Sequence, residues 1–192
     1  MNRIETPWPN VLVLQGPADA QVLGEADALV RLPRVSAATP RGRTRADAPP
    51  GNLETFASEK RRHEWVLSRT ALKLLGNAPY SSLSHSGDYA AAAIGGSPVG
   101  VDVQVVRPLA ERAAHLFLSD EEQADMERCV IAHRIIHFFC AKEAAWKARG
   151  GAIPTLKQIP LKLKEETATG LLFDSAATYA TGDIVVAVTT IS

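Results

Sequence analysis

The stretch Phe138-Phe139-Cys140-Ala141-Lys142-Glu143-Ala144-Ala145-Trp146-Lys147-Ala148-Arg149-Gly150 constrains this chain more than any other. Ile136, Phe139, Cys140, Glu143 and Lys147 recur three or four apart, so they share one face of a helix. Ile131, Ile135, Phe138, Ala145 and Trp146 make a second apolar stripe beside it. A helix apolar over so much of its circumference belongs in a core. Glu143 is then a carboxylate in a buried setting, where it must be paired, hydrogen-bonded or metal-bound. Lys147, one turn on, is a candidate partner at i,i+4. From this helix alone, a structural Glu143–Lys147 pair and a catalytic carboxylate are both open.

A second pattern lies about forty residues earlier. Val99, Val101, Val103 and Val105 alternate with Gly100, Asp102, Gln104 and Val106, which is the period of a strand. Asp102 and Gln104 therefore project from one face. Asp is disfavoured in strands, so its place among valines asks for a divalent cation or a hydrogen-bonding neighbour. Gly95-Gly96-Ser97-Pro98 reads as a hairpin turn that joins this strand to Tyr89–Ile94. Before it, Ser81-Ser82-Leu83-Ser84-His85-Ser86-Gly87-Asp88 reads as a loop rich in hydroxyls, suited to an oxyanion.

Elsewhere, Val11–Leu14 reads as a strand, and Asp19–Leu32 has room for a short helix. Pro33–Asn52, with Arg41, Arg43 and Arg45, reads as an extended connector. Leu53–Leu75 reads as a helix whose Arg62, Val66, Arg69 and Lys73 share a face beside Trp65. That basic stripe suits either a nucleotide phosphate or solvent. Leu109–Leu118 reads as helical, and Ser119 with Glu122 forms a capping box for the next helix, expected to meet or merge with the one carrying Glu143. Cys129 and His133 stand one turn apart, but no second pair supports zinc. Leu161–Lys164, Leu171–Phe173, Ala176–Ala180 and Ile184–Thr190 read as strands. Strands, then helices, then strands give an α+β class.

Lys+Arg and Asp+Glu balance at 21 each, so no global charge draws the chain to nucleic acid or to an anionic membrane. No apolar run approaches spanning length. The two cysteines are too few for a disulfide framework, and the N-terminus lacks signal-peptide character; both point to a cytoplasmic protein.

Ser84-His85-Ser86, Gly100-Val101-Asp102-Val103-Gln104 and Lys142-Glu143-Ala144-Ala145-Trp146-Lys147-Ala148 occur in this order. Together they resemble the motifs of the 4′-phosphopantetheinyl transferases, in particular the Sfp-like group, over roughly residues 54–192. The resemblance implies a pseudo-two-fold pair of similar α+β halves, 1–98 and 99–192, with a ligand cleft between them. It leaves 1–52 unmatched. It implies Mg²⁺-dependent transfer of the phosphopantetheine arm of coenzyme A to a serine of an apo acyl or peptidyl carrier protein, releasing 3′,5′-adenosine bisphosphate. A single chain holding both halves is expected to be a monomer.

Carried onto this sequence, the resemblance makes Asp102 and Glu143 the metal carboxylates, with Gln104 as a weaker ligand acting directly or through water. By the same resemblance Glu143 also accepts the serine proton, directly or through a water. Lys147 holds the pyrophosphate; Ser84 and His85 contact coenzyme A phosphates, His85 the 3′-phosphate. Arg62 and Arg69 match basic residues that bind the nucleotide. Gln104 departs from the pattern, which usually has Glu, and Phe139 replaces the usual Trp. The Lys-Pro element expected ahead of Ser84 has no clear counterpart. The alternative is a degenerate member that binds coenzyme A or a carrier protein without turnover.

Overall fold

The computed structural model describes residues 1–16, 59–108 and 111–191. The helix expected over Asp19–Leu32, the connector Pro33–Asn52, the start of the helix at Leu53 and residue Leu109 fall outside them. The strands are β1 (Asn2–Ile4), β2 (Val11–Gln15), β3 (Tyr80–Ser86), β4 (Tyr89–Gly95), β5 (Val99–Val105), β6 (Leu163–Glu166), β7 (Leu171–Phe173), β8 (Ala176–Thr181) and β9 (Ile184–Thr190). The helices are α1 (Glu59–Leu75), α2 (Asp120–Arg128) and α3 (Arg134–Ala148), with 3₁₀ turns at Glu111–Leu116 and Leu156–Gln158. The class is α+β, with two antiparallel sheets: β1-β2-β4-β3 and β5-β9-β8-β7-β6.

Alternation along the strands builds four layers. Val11 and Val13 of β2 face inward with Tyr89, Ala91 and Ala93 of β4, against Val99, Val101 and Val103 of β5 and Ile184 and Val186 of β9. The opposite faces of β2 and β4, Leu12, Leu14, Ala90 and Ala92, pack on Leu67, Ala71 and Leu72 of α1. The opposite face of the second sheet, Val185 and Ala187 among others, packs on Phe138, Cys140, Ala141, Ala144 and Ala145 of α3. The layers are thus helix, sheet, sheet, helix. Each wholly buried valine contributes about 1.5 kcal/mol or more. The alanines of β4 are small on both faces, which lets α1 and the second sheet approach the same strand.

Each half repeats one topology. A first strand leads to a helix and then to a hairpin whose last strand inserts beside the first: β2, α1, β3, β4, and β5, α3, β8, β9. The interval Gly95–Pro98 is therefore not a hairpin turn. It carries the chain from one sheet to the other, because β5 pairs with β9 and lies over the inner face of β4. The hairpin in this region is β3–β4, turned at Gly87-Asp88 with Gly87 at φ +58°. Ser81–Ser86, expected as a loop, lies in strand β3. It has no apolar alternation because its alternate side chains meet polar backbone, as described below.

The expected continuous helix is broken. The capping box of Ser119 and Glu122 is complete, but α2 ends at Arg128 and α3 starts after His133, whose φ of 59° is left-handed. Cys129 is thus a C-cap residue rather than mid-helix. The Glu166 carboxylate accepts the amides of Val130 and Ile131 in the gap. The expected helix before Ser119 is a 3₁₀ turn over its described residues. Leu161 is buried ahead of β6 rather than alternating within it.

Two positions fix how α3 lies. A Cβ on Gly100 would stand 1.8 Å from the Ala144 carbonyl oxygen, so β5 and α3 meet where only glycine fits. His137 is wholly buried, with Nδ1 2.8 Å from Thr178 Oγ1. The Thr178 hydroxyl also accepts Leu171 N at 2.8 Å and lies 3.2 Å from the Leu171 carbonyl oxygen, so it ties the His137 ring to β7. Nε2 is left buried without a partner. Desolvation, with a smaller push from His133, lowers the His137 pKa from 6.5 to about 4.

Gly100→Ala is expected to cost about 3 kcal/mol in urea unfolding, since backbone must move to admit the methyl. In the unfolded chain His137 takes a proton below its ordinary value, while the folded chain refuses it. Its contribution to stability is therefore complete above pH 6.5 and is lost as pH falls toward 4, by about 3 kcal/mol. Unfolding measured from pH 4 to pH 8 should show this slope, and His137→Gln should flatten it.

Candidate functional site

The face of β5 that carries Asp102 and Gln104 lies between α3 and β3. Asp102 is 2% exposed. Its Oδ1 accepts Ser84 Oγ at 2.7 Å and Lys147 Nζ at 2.7 Å. Its Oδ2 accepts Gln104 Nε2 at 3.0 Å. Lys147 Nζ also donates to the Val101 carbonyl at 3.1 Å. Lys147 therefore reaches across to β5 rather than back along its own helix, and the intrahelical Glu143–Lys147 pair does not form.

Glu143, one turn earlier, is half-buried and has no hydrogen bond among the described residues. Burial, then the charge of Asp102, pushes its carboxyl above the ordinary value; Lys147 opposes the shift. An unbonded carboxylate beside a cation and a second carboxylate is poised to take a proton or a metal ion.

The serines of β3 hold this group in place. Ser82 Oγ accepts Val101 N at 3.0 Å, Ser84 Oγ accepts Val103 N at 3.3 Å and Ser86 Oγ accepts Val105 N at 3.1 Å. The partners keep a constant offset of 19 residues, so β3 and β5 run parallel and are joined by hydroxyls instead of a backbone ladder. Ser84 both accepts from the strand and donates to Asp102. Ser86 Oγ sits 3.5 Å from Gln104 Oε1.

His85 points to the other side of β3. Its Nδ1 lies 3.6 Å from Glu64 Oε2 on α1, and Glu64 Oε1 lies 3.8 Å from Lys60 Nζ. Arg69 is buried with its guanidinium 5.5 Å from the centre of the Trp65 ring. Arg62 is half-buried, and its Nε is buried without a partner. With Val66 wholly buried, the stripe is not simply a solvated face. The structure thus brings Asp102, Gln104, Glu143, Lys147 and Ser84 together; His85 joins α1 through Glu64, and Arg62 and Arg69 stand on α1. Two surface clefts, of about 650 Å³ and 570 Å³, lie beside α2 and touch none of these residues. Among the described residues no group of three or more His, Cys, Asp or Glu is arranged to hold a metal ion by itself.

Sequence reasoning missed the ion pair beneath the site. Lys142 is wholly buried, and its Nζ donates to Glu122 Oε1 at 2.7 Å and to the Ile159 carbonyl. Glu122 also accepts Ser119 N at 2.8 Å and Leu161 N at 2.8 Å. The capping-box acid thereby ties α2, α3 and the approach to β6. Burial pushes the Lys142 ammonium below its ordinary pKa, against the pull of Glu122. The available signal was the capping box itself, whose Glu is normally solvated, in a chain with an unassigned Lys on its most buried helix. Lys142→Ala is expected to strand the Glu122 charge and cost about 3–5 kcal/mol in urea unfolding.

Comparison with curated proteins gives no match. Residues 98–188, from the start of β5 almost to the end of β9, match the family model of the 4′-phosphopantetheinyl transferase superfamily, and this stretch contains Asp102, Gln104, Glu143 and Lys147.

Proposed function

We propose that the chain transfers the 4′-phosphopantetheine arm of coenzyme A to a serine hydroxyl of an apo acyl or peptidyl carrier protein. On this reading it is an Sfp-like, single-chain enzyme whose halves are 1–98 and 99–192. The observation that carries it is the buried Asp102–Lys147 pair beside the unbonded Glu143, all within the segment matched by the superfamily.

The donor set suits Mg²⁺. Glu143 has both oxygens available, Asp102 Oδ2 is the freer oxygen of its carboxylate because Oδ1 already accepts Ser84 and Lys147, and the Gln104 amide oxygen is held only loosely by Ser86. Mg²⁺ takes one or two carboxylates and fills its shell with water and phosphate oxygens. When bound, it neutralises pyrophosphate charge. The protein residues do the rest. Glu143, its basicity raised by burial and by Asp102, accepts the proton of the carrier serine. The serine oxygen then bonds to the phosphorus on the pantetheine side, and the bond to 3′,5′-adenosine bisphosphate breaks. Lys147 holds the pyrophosphate and offsets charge on the leaving group. Ser84 orients Asp102. His85 binds the 3′-phosphate, with Arg62 and Arg69 toward the nucleotide.

Gln104 favours a second reading, in which the chain binds coenzyme A or a carrier protein without turnover. One assay separates the two. Purified protein with Mg²⁺ and coenzyme A should add the phosphopantetheine mass to at least one of a panel of apo carriers. Glu143→Gln should lower that rate about 100-fold or more with its circular dichroism unchanged, and Asp102→Ala should abolish it. Coenzyme A binding without transfer to any carrier would instead establish the second reading.

A further inference from the structure

We propose that the Lys147 ammonium is the resident counter-ion of the Asp102–Glu143 carboxylates, and that a divalent cation binds there by displacing it. This rests on the assignment of those carboxylates to the metal, made above.

Asp102 is nearly sealed from water, so its charge needs a cation at all times. Lys147 supplies one at 2.7 Å, with the Val101 carbonyl at 3.1 Å as a second acceptor. Glu143 adds a second negative charge within the field of both. Gln104 adds none, although the same strand position would admit a carboxylate. Two carboxylates and one ammonium leave a single net negative charge. A dication added to that group without moving Lys147 would turn the site positive and set two cations on one carboxylate. The ammonium must leave.

It has somewhere to go. Lys147 stands in the last turn of α3, its side chain is 21% exposed, and the helix ends one residue later at Ala148, with Arg149 as its cap and Gly150 and Gly151, both of positive φ, beyond it. A four-carbon stem can swing its ammonium to solvent without moving the helix. Asp102 meanwhile keeps Ser84 and Gln104 as donors. The released ammonium is then available to a phosphate at the same site, so metal and phosphate binding reinforce one another, with equal coupling in both directions.

The test uses Mn²⁺ alone, with no coenzyme A, and reads free Mn²⁺ by electron paramagnetic resonance. Lys147→Met keeps the stem and removes the charge. It should bind Mn²⁺ at least tenfold more tightly than the unaltered chain, and adding Asp102→Asn should remove the gain. Equal or weaker binding by Lys147→Met, or a gain that survives Asp102→Asn, overturns the proposal. A second measurement needs no variant. Acetylation of Lys147 by acetic anhydride, followed by peptide mass spectrometry, should become several-fold faster when Mg²⁺ is added; an unchanged or slower rate overturns it. Absence of carrier modification in the transfer assay would sink the enzymatic reading and leave both results interpretable.

Discussion

The outer edge of β5 sets the problem that the fold solves. As the edge strand of its sheet, it turns the amides of Val101, Val103 and Val105 toward the other half of the molecule. Buried amides without acceptors are costly, and a continuous backbone ladder with β3 is not formed. The hydroxyls of Ser82, Ser84 and Ser86 supply the acceptors. Because these serines alternate with Leu83 and His85, one face of β3 meets β5 while His85 is left toward α1. The seam between the halves and the placement of the candidate site are therefore one piece of chemistry. The side chain beside Val103 on the same strand is Asp102, and Ser84 serves both.

Helix α3 completes the site by dividing its charges. Lys142 and Glu143 are adjacent in sequence and point to different environments. Lys142 is locked into the core by Glu122 and the Ile159 carbonyl, which fixes the rotation of the helix. Glu143 and Lys147 then face β5, and Gly100 lets the helix come close enough for Lys147 to reach Asp102. A charge buried for structure thus holds two others in position for chemistry.

Much of this was legible in the sequence where period and burial agree. The valine alternation of β5, the capping box at Ser119 and the apolar circumference of α3 each carry a local signal, and each appears in the structure. What failed was pairing. Gly95-Gly96-Ser97-Pro98 has hairpin composition, yet the strands on either side are buried on both faces and stack rather than pair. The serine run had loop composition because hydroxyls commonly serve turns; only the distant amides of β5 make it a strand. The partner of Lys147 could not be chosen either. Glu143 was a candidate by spacing, but Asp102 lies 45 residues away in sequence and depends on the glycine contact for its proximity.

The hydroxyl seam also acts as a ruler. A backbone ladder can slide by two residues and remain satisfied, and so can a row of serines spaced by two. The bond from Ser84 to Asp102 has only a loose counterpart in Ser86 and Gln104, 3.5 Å against 2.7 Å, so it marks the native alignment more tightly than any other bond of the row. The chain between Ser84 and Val103 contains the β3–β4 hairpin and the crossing at Gly95–Pro98. An extra residue in either turn can loop out to solvent, whereas one taken into β3 or β5 would carry Ser84 off Asp102. The two turns can therefore change in length, and the strands they join cannot.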